Sequence, residues 1–270
     1  MTMMELIRHR RSVRTFDGTP LRPEDAERVL AFARETREPY GIPIEWRLLN
    51  AAEHGLTSPV IVGADTYIAG KLRPAPHAEE AFGYALETIL LYAASLGLGS
   101  TWIAGTMDRA AFERAMALGE GERMPCVSPL GYPAAKMSLR ETMMRKGIKA
   151  DSRFDFGTLF FDGSFDAALT PEKAGVLAQP LEAVRWAPSA VNKQPWRAVV
   201  GNDAVHFYET QSRGYVTADG WDLQKIDMGI AMSHFVLTLE ELGGTAELVT
   251  DDPALPVPPE TRYIATCRVR

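Results

Sequence analysis

Apolar residues recur at helical spacing in Ala26, Val29, Leu30 and Ala33, just after Pro23, Glu24 and Asp25. Proline is tolerated at the first helical position and acids suit a helix N-terminus, so this pattern predicts an amphipathic helix starting at residue 23. Before it, residues 3–11 predict a short helix ending in basic residues, then an extended Ser12–Phe16 and a turn at Asp17-Gly18. Residues 36–45, with Pro39, Gly41 and Pro43, are irregular; Trp46–Leu49 and Pro59–Gly63 predict strands. His77–Leu96 carries Phe82, Leu86, Ile89, Leu90 and Ala93 on one face, with Ala85, Leu91 and Ala94 on the others. A helix apolar nearly all round is central and buried, and Gly97 and Gly99 end it. Residues 100–104 read as strand or loop, 108–119 as a short helix, and Pro125–Tyr132 as a buried strand. The basic run 134–153 reads as a solvated, mobile loop, and alternation in 262–269 predicts a last strand.

The pattern then repeats. Pro171-Glu172-Lys173-Ala174 echoes Pro23-Glu24-Asp25-Ala26, and Ala174, Leu177, Ala178 and Leu181 match the stripe of the first helix. Trp196-Arg197 echoes Trp46-Arg47, and Met228, Met232, Phe235, Val236, Leu239 and Gly243 echo Phe82 to Gly97. Amphipathic helices resemble one another, so no single pairing is informative; the near-constant offset is what suggests a duplication. The expected division is a first repeat at 1–153 and a second at 154–270.

Two stretches stand out from this pattern. Ala187-Pro188-Ser189-Ala190-Val191-Asn192-Lys193-Gln194-Pro195-Trp196 has prolines that forbid a continuous helix. It reads as a rigid extended loop displaying a hydroxyl and two amides. Arg10-Arg11-Ser12-Val13-Arg14-Thr15-Phe16 gathers cations and a hydroxyl. In an extended segment alternate residues share a side, so Arg10, Ser12 and Arg14 could reach one ligand. Guanidinium forks bind phosphate oxygens.

These stretches resemble the two signatures of the FMN-dependent nitroreductase family, A-P-S-x-x-N-x-Q-P-W and R-R-S-x-R. Weaker similarity lies in Gly97-Leu98-Gly99-Ser100-Thr101-Trp102 and in Gly131-Tyr132-Pro133. The resemblance implies an α+β fold with mainly antiparallel central sheets flanked by helices. Family subunits pair through long central helices, with FMN at the interface. Because Ser12 and Ser189 lie most of the chain apart, the resemblance points to a single-chain subgroup whose two pseudo-symmetric repeats mimic the homodimer. It further implies that Arg10, Ser12 and Arg14 bind the phosphate, with Arg11 in the same cofactor-binding segment, completed by Arg153 with Lys149 behind it. Pro188, Ser189, Asn192 and Gln194 would come from the second repeat. Trp102, Ile103, Ala104 and Gly105 would pass the flavin ring and offer backbone N–H groups; Ala104 stands where the family often has an acid.

Composition narrows the alternatives. The 270 residues are 46% hydrophobic and 24% charged with net charge −6, so a nucleic-acid surface is not expected and a basic cluster serves something local. Two cysteines, Cys126 and Cys267, make neither a secreted scaffold nor a zinc site. No apolar run follows the basic residues 8–11, and the apolar segment 84–98 is too short to span a bilayer and contains Glu87, so a cytoplasmic protein without membrane association is expected. The glycines at 97–99 lack the dinucleotide fingerprint, His77-Ala78-Glu79-Glu80 is no metal motif, and no Gly-x-Ser-x-Gly elbow occurs. The expectation is an FMN oxidoreductase that takes electrons from NAD(P)H and reduces a nitroaromatic, quinone or similar small acceptor. It would be monomeric, with one FMN per chain. A flavin store, chaperone or sensor without turnover, and a relative that binds no flavin, are the competing readings.

Overall fold

The structure, a computed structural model, describes residues 1–217 and 220–270. Along the chain come α1 (Met3–His9), α2 (Pro23–Glu35), β1 (Glu45–Asn50), α3 (Ala51–His54), β2 (Thr66–Lys71), α4 (Ala78–Ser95), β3 (Gly99–Ser100), α5 (Arg109–Ala115), β4 (Val127–Gly131) and α6 (Leu139–Gly147). There follow α7 (Phe156–Leu159), β5 (Phe160–Asp162), α8 (Pro171–Ala174), α9 (Ala178–Trp186), β6 (Trp196–Val200), β7 (Ala204–Thr210), α10 (Leu223–Glu241), β8 (Ala246–Val249) and β9 (Thr261–Val269). Two compact units result. The first comprises His9–Ala78 and Ala85–Ala150; the second comprises Met1–Arg8, Glu79–Tyr84 and Asp151–Arg270.

In the first unit the sheet order is β1-β2-β4-β3, all antiparallel. Tyr67 on β2 meets Phe112 of α5 edge to face at 5.0 Å. Leu49, Ile103, Met116 and Val127 close the same core. Helix α2 starts on Pro23 as the pattern requires, and its Phe32 stacks on Tyr92 of α4 at 4.1 Å. Buried Asp25 accepts hydrogen bonds from Arg22 and from the Tyr132 hydroxyl at 2.7 Å, tying α2 to the end of β4.

The second unit has the sheet β5-β6-β7-β9-β8, antiparallel except that β5 joins β6 in parallel, with Phe160 opposite Ala198. Buried α10 packs on α9, where His234 Nδ1 meets the Ala183 carbonyl at 3.0 Å. It also crosses Glu79–Tyr84 at two glycines. A Cβ on Gly83 would lie 2.1 Å from the Ile226 carbonyl oxygen, and one on Gly229 would lie 2.1 Å from that of Glu80. Only glycine permits backbones this close.

Several expectations need correction. Pro59–Gly63 is a turn with a single bridge at Val62, which is exposed, and the strand is Thr66–Lys71. The basic run is not all loop: α6 occupies its middle, capped by Ser138, whose hydroxyl accepts from the Glu141 N–H. The helix expected from Pro171 breaks at Gly175, and a short 3-10 turn joins α8 to α9. Among the described residues no helix is long and apolar enough to cross a membrane.

Candidate functional site

The first unit gathers three of the motif segments around one cleft. Segment 12–16 is extended, as expected, because its neighbours lace it on both sides. Val13 N–H bonds to the Ser100 carbonyl, Phe16 N–H to Val62, and Asp17 N–H to Tyr132. Val13 points into the core, and a Cβ on Gly99 would lie 3.0 Å from both Val13 and Pro133. This close approach brings residues 10–13, 97–100 and Pro133 together around a cavity of about 230 Å³. His9, Arg10, Arg11 and Ser100 contribute its polar side chains.

Arg10 is buried. Its Nε lies 3.3 Å from Oε1 of Glu87, a fully buried acid on α4, and its Nη1 has no hydrogen-bond partner among the described residues. The other oxygen of Glu87 accepts the Trp102 indole N–H at 2.8 Å. The Ser100 and Thr101 hydroxyls are buried without partners as well. Buried polar atoms in native proteins are nearly always satisfied, so Arg10 and Ser100, which line the cleft, are candidate donors to a ligand oxygen; Thr101 does not line it. A guanidinium and hydroxyls are the chemistry that holds an oxyanion such as phosphate.

The structure separates the other members of the first signature. Arg11 lines the cleft but is exposed, with Nη1 3.6 Å from the Met137 sulfur. Ser12 and Arg14 do not line it. Burial pulls the Arg14 guanidinium below its ordinary value; Glu141 raises it and Arg145 lowers it further. Arg14 Nη1 is another buried donor without a partner. Glu141 is anchored by the Thr15 hydroxyl at 2.7 Å, so α6 is docked on the signature segment. In the 102–105 segment, the Ile103 N–H bonds to the Val127 carbonyl at 2.9 Å and is not available to a ligand. The Ala104 carbonyl accepts from Arg109 at 2.7 Å, and Gly105 is exposed.

In the second unit, the 187–196 loop is not extended throughout. Ser189 is extended, but Val191, Asn192 and Gln194 are left-handed, at φ 51°, 57° and 51°. A β-branched residue in that region is strained, and a set of hydrogen bonds holds the turn. The Ser189 hydroxyl accepts from Gln194 N–H, and the side-chain amide oxygen of buried Gln194 accepts from Phe154 N–H, both at 2.9 Å. Both oxygens of Asp227 on α10 face the Ala190 N–H, at 3.1 and 3.0 Å. Burial pushes the Asp227 carboxyl well above the usual range. Asn192 Nδ2 and Arg153 Nη1 donate to the same Ser152 carbonyl, at 3.1 and 2.7 Å, and Arg153 stacks on Trp186 at 5.0 Å. Pro188 is half-buried at the start of the turn.

Sequence reasoning missed three of the organising acids. Glu87 and Asp227 each carried a signal, an acid inside an otherwise apolar helix. Glu141 carried another, the S-x-x-E capping box begun by Ser138.

The profile of the family described as "Putative TM nitroreductase" matches residues 2–239. The chain belongs to that family. Membership makes this nitroreductase-family chain an oxidoreductase. Its structure is similar to that of a putative nitroreductase from Thermotoga maritima MSB8, with TM-score 0.63, 19% identity, and coverage of 99% of this chain and 93% of that one. The nitroreductase-like α+β fold implied by the motifs is therefore the fold observed. Two further similar structures cover about half of this chain. One is a putative NADH oxidase from Clostridium acetobutylicum, with TM-score 0.40, 22% identity, and coverage of 49% of this chain and 89% of that one. The other is an FMN-dependent nitroreductase from Clostridium difficile R20291, with TM-score 0.42, 18% identity, and coverage of 52% and 94%. No curated protein matches the chain.

Proposed function

We propose that this nitroreductase-family protein is an FMN-dependent oxidoreductase that draws electrons from NAD(P)H and passes them to a nitroaromatic, quinone or similar small acceptor. The observation that carries the reading is the Arg10 cleft: a buried guanidinium with an unpartnered Nη1 beside the unpartnered Ser100 hydroxyl and the close-packed Gly99. These groups fit a phosphate monoester. Arg10 is assigned as its main charge-assisted donor and Ser100 as a hydroxyl donor. Arg11, Ser12, Arg14, Arg153 and the polar residues of the 187–196 loop enter through their motifs. FMN, when bound, supplies the hydride chemistry; the chain binds it, orients it and limits water around it.

The same reading takes the chain as two copies of one plan, working as a monomer with one FMN. Both units run through strand, strand, long helix, strand, strand, and the sheet orders β1-β2-β4-β3 and β6-β7-β9-β8 correspond once β5 is set aside. A cytoplasmic setting is proposed because both cysteines are free and buried. The test is an absorbance spectrum of the protein purified with added FMN, then anaerobic addition of NADPH or NADH. A retained flavin that bleaches supports the enzyme; a flavin that stays oxidised with both would leave a binding protein, and a protein that takes up no flavin would sink the proposal.

A further inference from the structure

Glu87 joins the two segments that line the cleft. It sits inside α4 with no solvent exposure. One oxygen lies 3.3 Å from Arg10 Nε, and the other accepts the Trp102 indole N–H at 2.8 Å. A carboxylate whose whole purpose was to neutralise Arg10 would take the guanidinium with both oxygens, in the parallel fork that arginine favours. Here the two oxygens are divided between partners. The contact with Arg10 is also off hydrogen-bond geometry, so Arg10 Nε and Nη1 both lack hydrogen bonds. A planar guanidinium approached along one edge has its remaining N–H directions fixed. Arg10 is thus restrained and only partly satisfied.

We propose that Glu87 is a positioning residue of the oxyanion site: it restrains Arg10 so that Nη1 serves the incoming phosphate, and it couples occupancy of the site to Trp102. The proposal rests on the reading of Arg10 as the phosphate donor. A phosphate taken by Arg10 Nη1 holds the guanidinium more firmly in the plane that sets Nε against Glu87, and the carboxylate passes that change to Trp102 through its other oxygen. The site and the 99–102 segment therefore respond together, although Trp102 itself need not touch the anion.

Binding of FMN and of riboflavin, which lacks the phosphate, tests this in flavin-free wild type, Arg10→Ala, Glu87→Gln and the double variant. Glu87→Gln keeps an acceptor for Trp102 and removes the charge behind Arg10. It is expected to weaken FMN roughly tenfold, the scale of one charge-assisted hydrogen bond, and to leave riboflavin affinity unchanged. In the Arg10→Ala background it should cause no further loss. Wild-type FMN affinity in Glu87→Gln, an equal loss for riboflavin, or a loss that persists without Arg10 would overturn the proposal. Unchanged FMN affinity in Arg10→Ala is a distinct result: it removes the phosphate reading first and this proposal with it. A second measurement avoids any risk that the Glu87 variant fails to fold. The wild-type protein has five tryptophans, and the Trp102 indole N–H signal can be assigned by its loss in Trp102→Phe. Inorganic phosphate should shift that signal saturably in the wild type, and a signal that stays fixed while phosphate binds would refute the coupling.

Discussion

Arg10 and Arg11 are neighbours with the same side chain, and their environments decide which one matters. Arg10 is buried with a donor unsatisfied, whereas Arg11 is exposed and reaches only a methionine sulfur. Arg10→Ala should therefore lose about 1.5–3 kcal/mol of FMN affinity, and Arg11→Ala well under half of that. Fluorescence titration of the flavin-free protein measures both; equal losses would place the phosphate elsewhere. The same substitution leaves Glu87 buried beside an empty space, so Arg10→Ala should also melt lower than Arg11→Ala. The two signatures were legible in the sequence as residue types. The partners that orient them were not, because Glu87 and Asp227 lie far along the chain and meet their segments only in the fold. A second residue-scale prediction concerns Glu209. Burial, with Asp222 adding to it, pushes its carboxyl up to about 7, against the opposing pull of Arg262. Between the ordinary value of 4.5 and about 7, the folded chain holds a proton that the unfolded chain has released. Its contribution to stability therefore falls as pH rises through that window. Glu209→Gln should flatten the trend while Arg262 keeps Asp222 as a partner. Denaturant midpoints at about pH 5 and about pH 8 check it, and an unchanged slope in the variant would exclude Glu209 as the source.

Elements with a long period were read correctly from the sequence, and short ones were decided by their surroundings. Helices α2, α4 and α10 follow from their apolar spacing. Strand β2 was missed because Pro59–Gly63, with three aliphatic residues in a row, looks more strand-like than Thr66–Lys71; yet Pro59 and Gly63 bend it, and Val62 stays exposed. Helix α6 was hidden in a run of basic residues, although Ser138 and Glu141 form a capping pair. The 187–196 turn could not be foreseen, since left-handed Val191 lies between Ala190, whose N–H bonds to Asp227, and Gln194, whose side chain accepts from Phe154, rather than following local preference. The strongest test at this scale is the glycine crossing in the second unit. In Gly229→Ala the new methyl group meets a backbone carbonyl at 2.1 Å, which cannot swing aside as a side chain can. A loss of about 1–3 kcal/mol is expected. Gly147→Ala, near the end of α6 with open space around it, should be neutral or gain up to about 1 kcal/mol. Thermal melts of the two variants measure the contrast, and a Gly229→Ala protein as stable as the wild type would show that the helices can part without loss.

At the scale of the whole molecule, two similar plans need not mean two cofactors. The proposed duplication rests on a near-constant offset in the sequence, whereas β5 was not legible there, because it exists only by pairing in parallel with β6 from a distant part of the chain. The offset also shows which motif each unit lacks. In the first unit, the stretch matching 187–196 is Arg37–Trp46, where Ile42 and Ile44 stand in place of Asn192 and Gln194. The backbone N–H of Tyr40 already bonds to the Glu38 carboxylate there, at 2.6 Å, so this turn is organised by an acid. In the second unit, the stretch matching 10–16 is 155–163, which forms α7 and β5 and contains Asp155 and Asp162 but no arginine. Phe156 and buried Phe160 meet edge to face at 4.6 Å there, and an apolar, acidic stretch of this kind disfavours a phosphate dianion. On the proposed duplication, the chain carries one complete set of signatures and the matching stretches lack both halves. Saturation with FMN followed by gel filtration should give a flavin-to-protein ratio near one, read from absorbance against amino-acid analysis. A ratio near two would show that the second unit binds flavin without a basic signature, and that the loss of Asn192 and Gln194 counterparts does not matter. If Arg10→Ala then lowered the ratio by only half, the two sites would be independent; on the single-site reading it lowers the whole of it.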